Sequence, residues 1–132
     1  MKVNLIIMCL YLYTTAVFAN TSRYEQMLPV NTPALTPGKV VTQQTETNVP
    51  RPLFIVGDDA LSHRWLTAYY PQLKKMNAIG LIVNVRTSQG LQRFNQYPLQ
   101  MYPVPGHDFV KTFSLKHYPV LIHNGNITQS IK

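Results

Sequence analysis

The sequence of 132 residues predicts an α/β fold: a small mixed sheet built around a parallel βαβ unit, helices on its faces, and a C-terminal β-hairpin. Three observations lead there. Leu53–Gly57 is a continuous apolar run, the pattern of a strand buried on both faces, and Gly80–Val85 reads as a second core strand. Between them, apolar residues recur every three to four positions, as one face of a helix requires. Asn124-Gly125, set between Val120–His123 and Asn126–Gln129, is the dipeptide of a type I′ turn, whose two central positions need positive φ.

At the N-terminus, Lys2 precedes an apolar, nearly uncharged run from Val3 to Val17, and Val17-Phe18-Ala19 supplies small residues at cleavage-site spacing. Residues 1–19 are therefore expected to be an export signal cut after Ala19. The run is shorter than the ~20 apolar residues a spanning helix needs, so no stable membrane span is expected after cleavage. Cys9, the single cysteine, lies within this segment, and the exported chain has no thiol with which to form a disulfide. Residues 20–52 interleave Pro29, Pro33, Pro37, Pro50 and Pro52 with Thr, Asn and Gln. Such a stretch cannot bury enough apolar surface to fold alone. It reads equally as a passive linker or as an arm whose Leu28-Pro29-Val30, Leu35–Gly38 and Lys39–Val41 pieces dock in extended form. Residues 53–132 are enough for one domain.

Within that domain, Asp58-Asp59 follows the first strand and opens a helix whose expected buried stripe is Leu61, Trp65, Tyr69, Leu73 and Met76, with Pro71 kinking it or restarting it after Tyr70. After the strand Gly80–Val85, Thr87 or Ser88 caps a short helix running through Leu91 and Phe94 to about Tyr97. Leu99–Tyr102 can form a short strand, Pro103–Gly106 a loop, and Asp108 is expected to cap a helix facing the core with Phe109, Phe113 and Leu115. The predicted sheet order is the 80s strand, the 50s strand, the 120s strand and the antiparallel C-terminal strand.

Twelve Lys and Arg against five Asp and Glu give a net charge of +7. The cations are scattered over several elements with no basic run longer than Lys74-Lys75, which reads as a solvated surface; no direct nucleic-acid binding is expected. Asp58 and Asp59, at the carboxyl end of a strand, offer the sharpest chemical signal, because paired carboxylates there can hold a divalent cation or act as acid and base. The favoured reading is structural: Asp58 shapes the turn, and Asp59 or Ser62 caps the helix. His63, His107, His117 and His123 lack the spacing of a zinc site, so neither a metal nor another cofactor is expected.

Phe113 to Gly125 places a helix end, a Tyr-Pro bond, an apolar strand and an Asn-Gly turn in succession. With the elements before it, Leu53 to Gln129 resembles a minimal thioredoxin-like domain. That resemblance implies a cis-proline loop beside the first helix entrance, and a candidate interaction groove formed by Asp58, Asp59, Trp65, Tyr118 and Pro119. Where such domains carry thiols, this chain reads Gly57-Asp58-Asp59-Ala60-Leu61-Ser62, so it is expected to be redox-inactive and not an enzyme. No counterpart of the resembled fold's C-terminal helix is expected within these residues, so one sheet face is predicted to be thinly covered unless the arm folds back over it or a partner packs there.

A second resemblance spans most of the chain beyond the signal. It is carried by Leu28-Pro29-Val30, Thr32–Gly38, Leu53–Asp59 with Leu61-Ser62 and Trp65-Leu66, Gly80–Val85 and His117–Ile122. These are similar to a family of periplasmic proteins of unknown function encoded in integrating conjugative elements with genomic-island type IV secretion systems. What the resemblance implies is a setting: a periplasmic protein whose partners are other envelope proteins of the conjugation apparatus. Chaperone-like peptide binding at the Tyr118-Pro119 loop and an Asp-dependent metal hydrolase are the alternatives.

Overall fold

A computed structural model describes residues 23–132; the expected signal, residues 1–19, lies outside the described residues. In chain order the elements are strands β1 (Thr36–Pro37), β2 (Gln43–Gln44) and β3 (Leu53–Gly57), helix α1 (Ala60–Lys75), strand β4 (Ile79–Asn84) and helix α2 (Ser88–Gln92). A 3₁₀ turn (Arg93–Gln96), β5 (Gln100–Pro103), α3 (His107–Phe113), β6 (His117–Tyr118), β7 (Val120–His123) and β8 (Asn126–Thr128) follow. The main sheet runs β2-β8-β7-β3-β4-β5. β3, β4 and β5 are parallel, whereas β7 is antiparallel to β3 and β8 to β7. The expected order of four strands is present, with β5 added beyond β4 and β2 beyond β8. Asn124 (φ 51) and Gly125 (φ 74) make the hairpin turn between β7 and β8.

Alternation along the strands divides the core in two. Phe54, Val56, Ile82 and Leu121 face α1, where Trp65, Leu66 and Leu73 are buried. Ile55, Val83, Val120 and Ile122 face the other side, under Phe113 and Leu115 from α3 and its exit. Leu35, Val40 and Val49 also pack on that second face, so the arm supplies cover where the sequence leaves it thin. Residue 52 is thus no boundary between tether and core. Val30, Thr32 and Leu35 are 3%, 0% and 1% exposed, and each sits among residues of the sheet. Proline-rich composition forecasts that this stretch cannot fold alone, but it does not tell where a neighbouring domain will bury it.

Some local expectations are corrected. α1 continues through Pro71 without restarting; Thr67, whose carbonyl loses its helical donor, and Pro71 are both exposed, which leaves that carbonyl on the solvent side of the helix. Leu61 is only half-buried and stands outside the core, its place in the stripe taken by Leu66. α2 ends at Gln92 and tightens into the 3₁₀ turn rather than reaching Tyr97 as one helix. Asp108 lies in the first turn of α3, whose N-cap is Gly106 with no side-chain bond. Among the described residues no helix is long and apolar enough to cross a membrane.

Candidate functional site

The carboxyl ends of β3 and β4, the entrance of α1 and the start of β7 converge at one place, and the two neighbouring aspartates there have different fates. Asp59 is the N-cap of α1: its Oδ1 accepts from the Ser62 N–H at 2.8 Å and its Oδ2 from the Ser62 hydroxyl at 3.0 Å. The Ser62 oxygen in turn accepts the Gly57 N–H at 3.1 Å, which closes the turn between strand and helix. Asp58 does more than shape that turn. Its Oδ1 lies 2.9 Å from His63 Nε2 and its Oδ2 accepts from the Arg93 guanidinium at 2.7 Å. His63 Nδ1 lies 2.9 Å from the Tyr97 hydroxyl, so a single chain of polar contacts ties the α1 entrance to the 3₁₀ turn and its exit.

Tyr118 precedes a cis peptide bond to Pro119. Its ring lies against Gly57, where even a Cβ would collide with it. Burial pushes the Tyr118 phenol up to about 12; the Asn84 amide acts in the opposite sense, and the charge of Asp59 adds a smaller rise. That amide, Nδ2, donates to the Tyr118 hydroxyl at 3.2 Å and to the Leu35 carbonyl at 3.1 Å, while Asn84 Oδ1 accepts the Thr32 N–H at 2.6 Å. The fully buried Thr32 hydroxyl donates to the Val83 carbonyl at 2.8 Å and accepts the Gly106 N–H at 2.9 Å. Asn84 and Thr32 therefore pin the arm across the strand ends.

Along the cis-proline loop the arm becomes a strand. β1 pairs in parallel with β6, the Thr36 N–H donating to the Lys116 carbonyl at 3.2 Å and the Gly38 N–H to the Tyr118 carbonyl at 3.0 Å. Gln129 closes the far side, its Nε2 donating to the Gly38 carbonyl at 2.8 Å and the Pro119 carbonyl at 3.1 Å. What stays open is a cleft of about 490 Å³ between arm and strand ends, lined by residues including Asn31, Thr36, Asp58, Asn84, Arg86 and Tyr118.

Of the five residues expected to share one groove, Asp58 and Tyr118 line this cleft, and Asp59 stands beside the Tyr118 hydroxyl. Trp65 and Pro119 do not line it. Trp65 is buried in the α1-side core, with its indole N–H donated to the Gln129 carbonyl. Pro119 is buried at the entry to β7. The possible zinc ligands are equally dispersed: among the described residues no group of three or more His, Cys, Asp or Glu is placed to hold a metal ion.

The family model described as "Protein of unknown function (DUF2859)" matches residues 13–127. The chain belongs to the DUF2859 family. No curated protein and no solved structure matches it. The DUF2859 match runs through arm and sheet together, in keeping with an arm that contributes Val30 and Leu35 to the core. Sequence reasoning missed Thr32 and Asn84, which organise the cleft between arm and strand ends. A signal for Asn84 existed, an amide inside the apolar run Gly80–Val85 that burial would oblige to find partners; Thr32 is indistinguishable by composition from the exposed threonines around it.

Proposed function

We propose that this DUF2859 chain is a non-enzymatic periplasmic component of a conjugative type IV secretion system of an integrating conjugative element, binding other envelope proteins through a redox-inactive thioredoxin-like domain. One observation carries the non-enzymatic part: the groups that could do chemistry at the α1 entrance are already committed to the fold. Asp59 is held by Ser62, and Asp58 by His63 and Arg93. No thiol stands anywhere from Gly57 to Ser62, so disulfide exchange has neither nucleophile nor resolving group there. The setting rests on the resemblance of Leu28-Pro29-Val30, Thr32–Gly38, Leu53–Asp59 with Leu61-Ser62 and Trp65-Leu66, Gly80–Val85 and His117–Ile122 to the conjugative-element family.

Chaperone-like capture of exported peptides at the Tyr118-Pro119 loop has less support, because Thr36 and Gly38 of the chain's own arm already use the main-chain groups of β6. The test is conjugative transfer frequency from donor cells lacking the gene, complemented with wild type, Asp58→Asn, or a form without residues 2–19. Wild type and Asp58→Asn restore transfer and the form without its export segment does not. Normal transfer from the deletion strain overturns the conjugative role, and failure of a stably folded Asp58→Asn protein to restore it points back to carboxylate chemistry.

A further inference from the structure

The two edges of the main sheet are finished differently. β5, at one edge, ends in Pro103, which has no N–H to offer a new strand, and Tyr24 lies against Tyr102 with ring centroids 5.9 Å apart. At the other edge β2 is Gln43–Gln44, between Thr42 and Thr45, with no proline, no charge and no strand beyond it among the described residues. Beside it opens a cleft of about 270 Å³ whose lining includes Lys39, Val41, Gln43, Lys116 and His117. Val41 is 77% exposed, the most exposed large apolar side chain described.

Charge makes this edge specific. Lys39 and Lys116 are exposed and both line the cleft, and among the described residues neither ammonium has a hydrogen-bond or ion-pair partner. None of the chain's acidic residues lines it. Thr36 holds the His117 ring through Nδ1, at 3.0 Å from the hydroxyl. An edge strand supplies main-chain pairing, an alternate apolar contact supplies register, and unpaired cations select the sign of what binds.

We infer that the outer edge of β2 and the Lys39/Lys116 cleft form a docking surface for an extended acidic segment of a partner protein, which adds a strand to the sheet and sets carboxylates against the two lysines. A nucleic acid is the poorer fit, since no Tyr, Phe or Trp lines the cleft to stack a base. This surface is separate from the Asp58–Tyr118 cleft and does not depend on the conjugative setting.

The experiment uses the purified protein and three fluorescent probes: a peptide of alternating glutamate and valine, the same peptide with lysine for glutamate, and a single-stranded oligonucleotide. The acidic peptide is expected to bind alone, more weakly as salt rises, and to shift the amide resonances of Val41, Gln43 and Lys116. Lys39→Glu combined with Lys116→Glu should weaken it by roughly tenfold or more while leaving thermal unfolding unchanged, both side chains being exposed. Methylating alternate peptide nitrogens on the probe should weaken it without any change to the protein. Binding unaffected by either change, no binding of the acidic peptide, or oligonucleotide binding as tight as the peptide's overturns the proposal; in each of those cases a transfer defect of the deletion strain would still stand.

Discussion

The two halves of the segment before β3 have similar compositions and opposite fates. From Leu28 to Gly38 the chain drops a buried residue into the structure every two to three positions, Val30, Thr32 and Leu35, and hydrogen-bonds its main chain to Val85, Asn84, Lys116 and Tyr118. From Lys39 to Pro50 nothing is fully buried, and only Val40, Thr45 and Val49 are half covered. Threonine and asparagine populate both halves, with three prolines in the first and one, Pro50, in the second. Order here comes from the receptor each half meets: the first crosses strand ends that present Asn84 and the Val83 carbonyl, and the second runs along the edge and open surface of the sheet.

Substitutions that remove the anchors of the first half should separate the two most strongly. Leu35→Ala empties a fully buried position in the core and is expected to cost about 2–5 kcal/mol in urea unfolding, with protection from hydrogen exchange lost over residues 30–38. Alkaline titration comes next. The Tyr118 phenol, raised from 10.0 to about 12 in the folded state, stays protonated where the unfolded chain has lost its proton. Its stabilisation is complete below pH 10 and is lost as pH climbs through 12, by roughly 2–3 kcal/mol. Urea midpoints measured from pH 9 to 12 should show this decline, and Tyr118→Phe should flatten it.

Thr32→Val keeps shape but leaves the Val83 carbonyl and the Gly106 N–H without partners, for an expected loss of about 1–3 kcal/mol. Across the comparison, Val41→Thr in the second half should change stability by no more than about 0.5 kcal/mol. A Val41 effect as large as that of Thr32 would erase the distinction between the halves.

What was legible in the sequence was local or periodic. The apolar strands, the Asp59 and Thr87 caps and the Asn124-Gly125 turn depend on neighbours within a few residues, which the sequence prints side by side. The expected groove fared differently. Asp58, Asp59 and Tyr118 do meet, because strand ends and helix entrance bring them there, but Trp65 points into the helix-side core, where a large ring buries more area than at a cleft rim. His63 looked like a stray metal ligand, yet it bridges Asp58 to Tyr97, a partner 34 residues away that no spacing rule could supply. Docking of the arm was hidden for the same reason: its partners, from Val83 to Gln129, are scattered along the rest of the chain.

Gln129 carries this furthest. Its side chain holds the Gly38 carbonyl, 91 residues away in sequence, and the Pro119 carbonyl, while its own carbonyl receives the Trp65 indole. A chain delivered from its N-terminus, by a ribosome or through a membrane channel, exposes the arm well before this residue. The arm therefore emerges early and docks late, since loop closure over such separations precedes any gain from the contact. Until residue 129 is free, the segment from Leu28 to Gly38 has no complete seat, and a partner present during delivery meets it as an open extended strand.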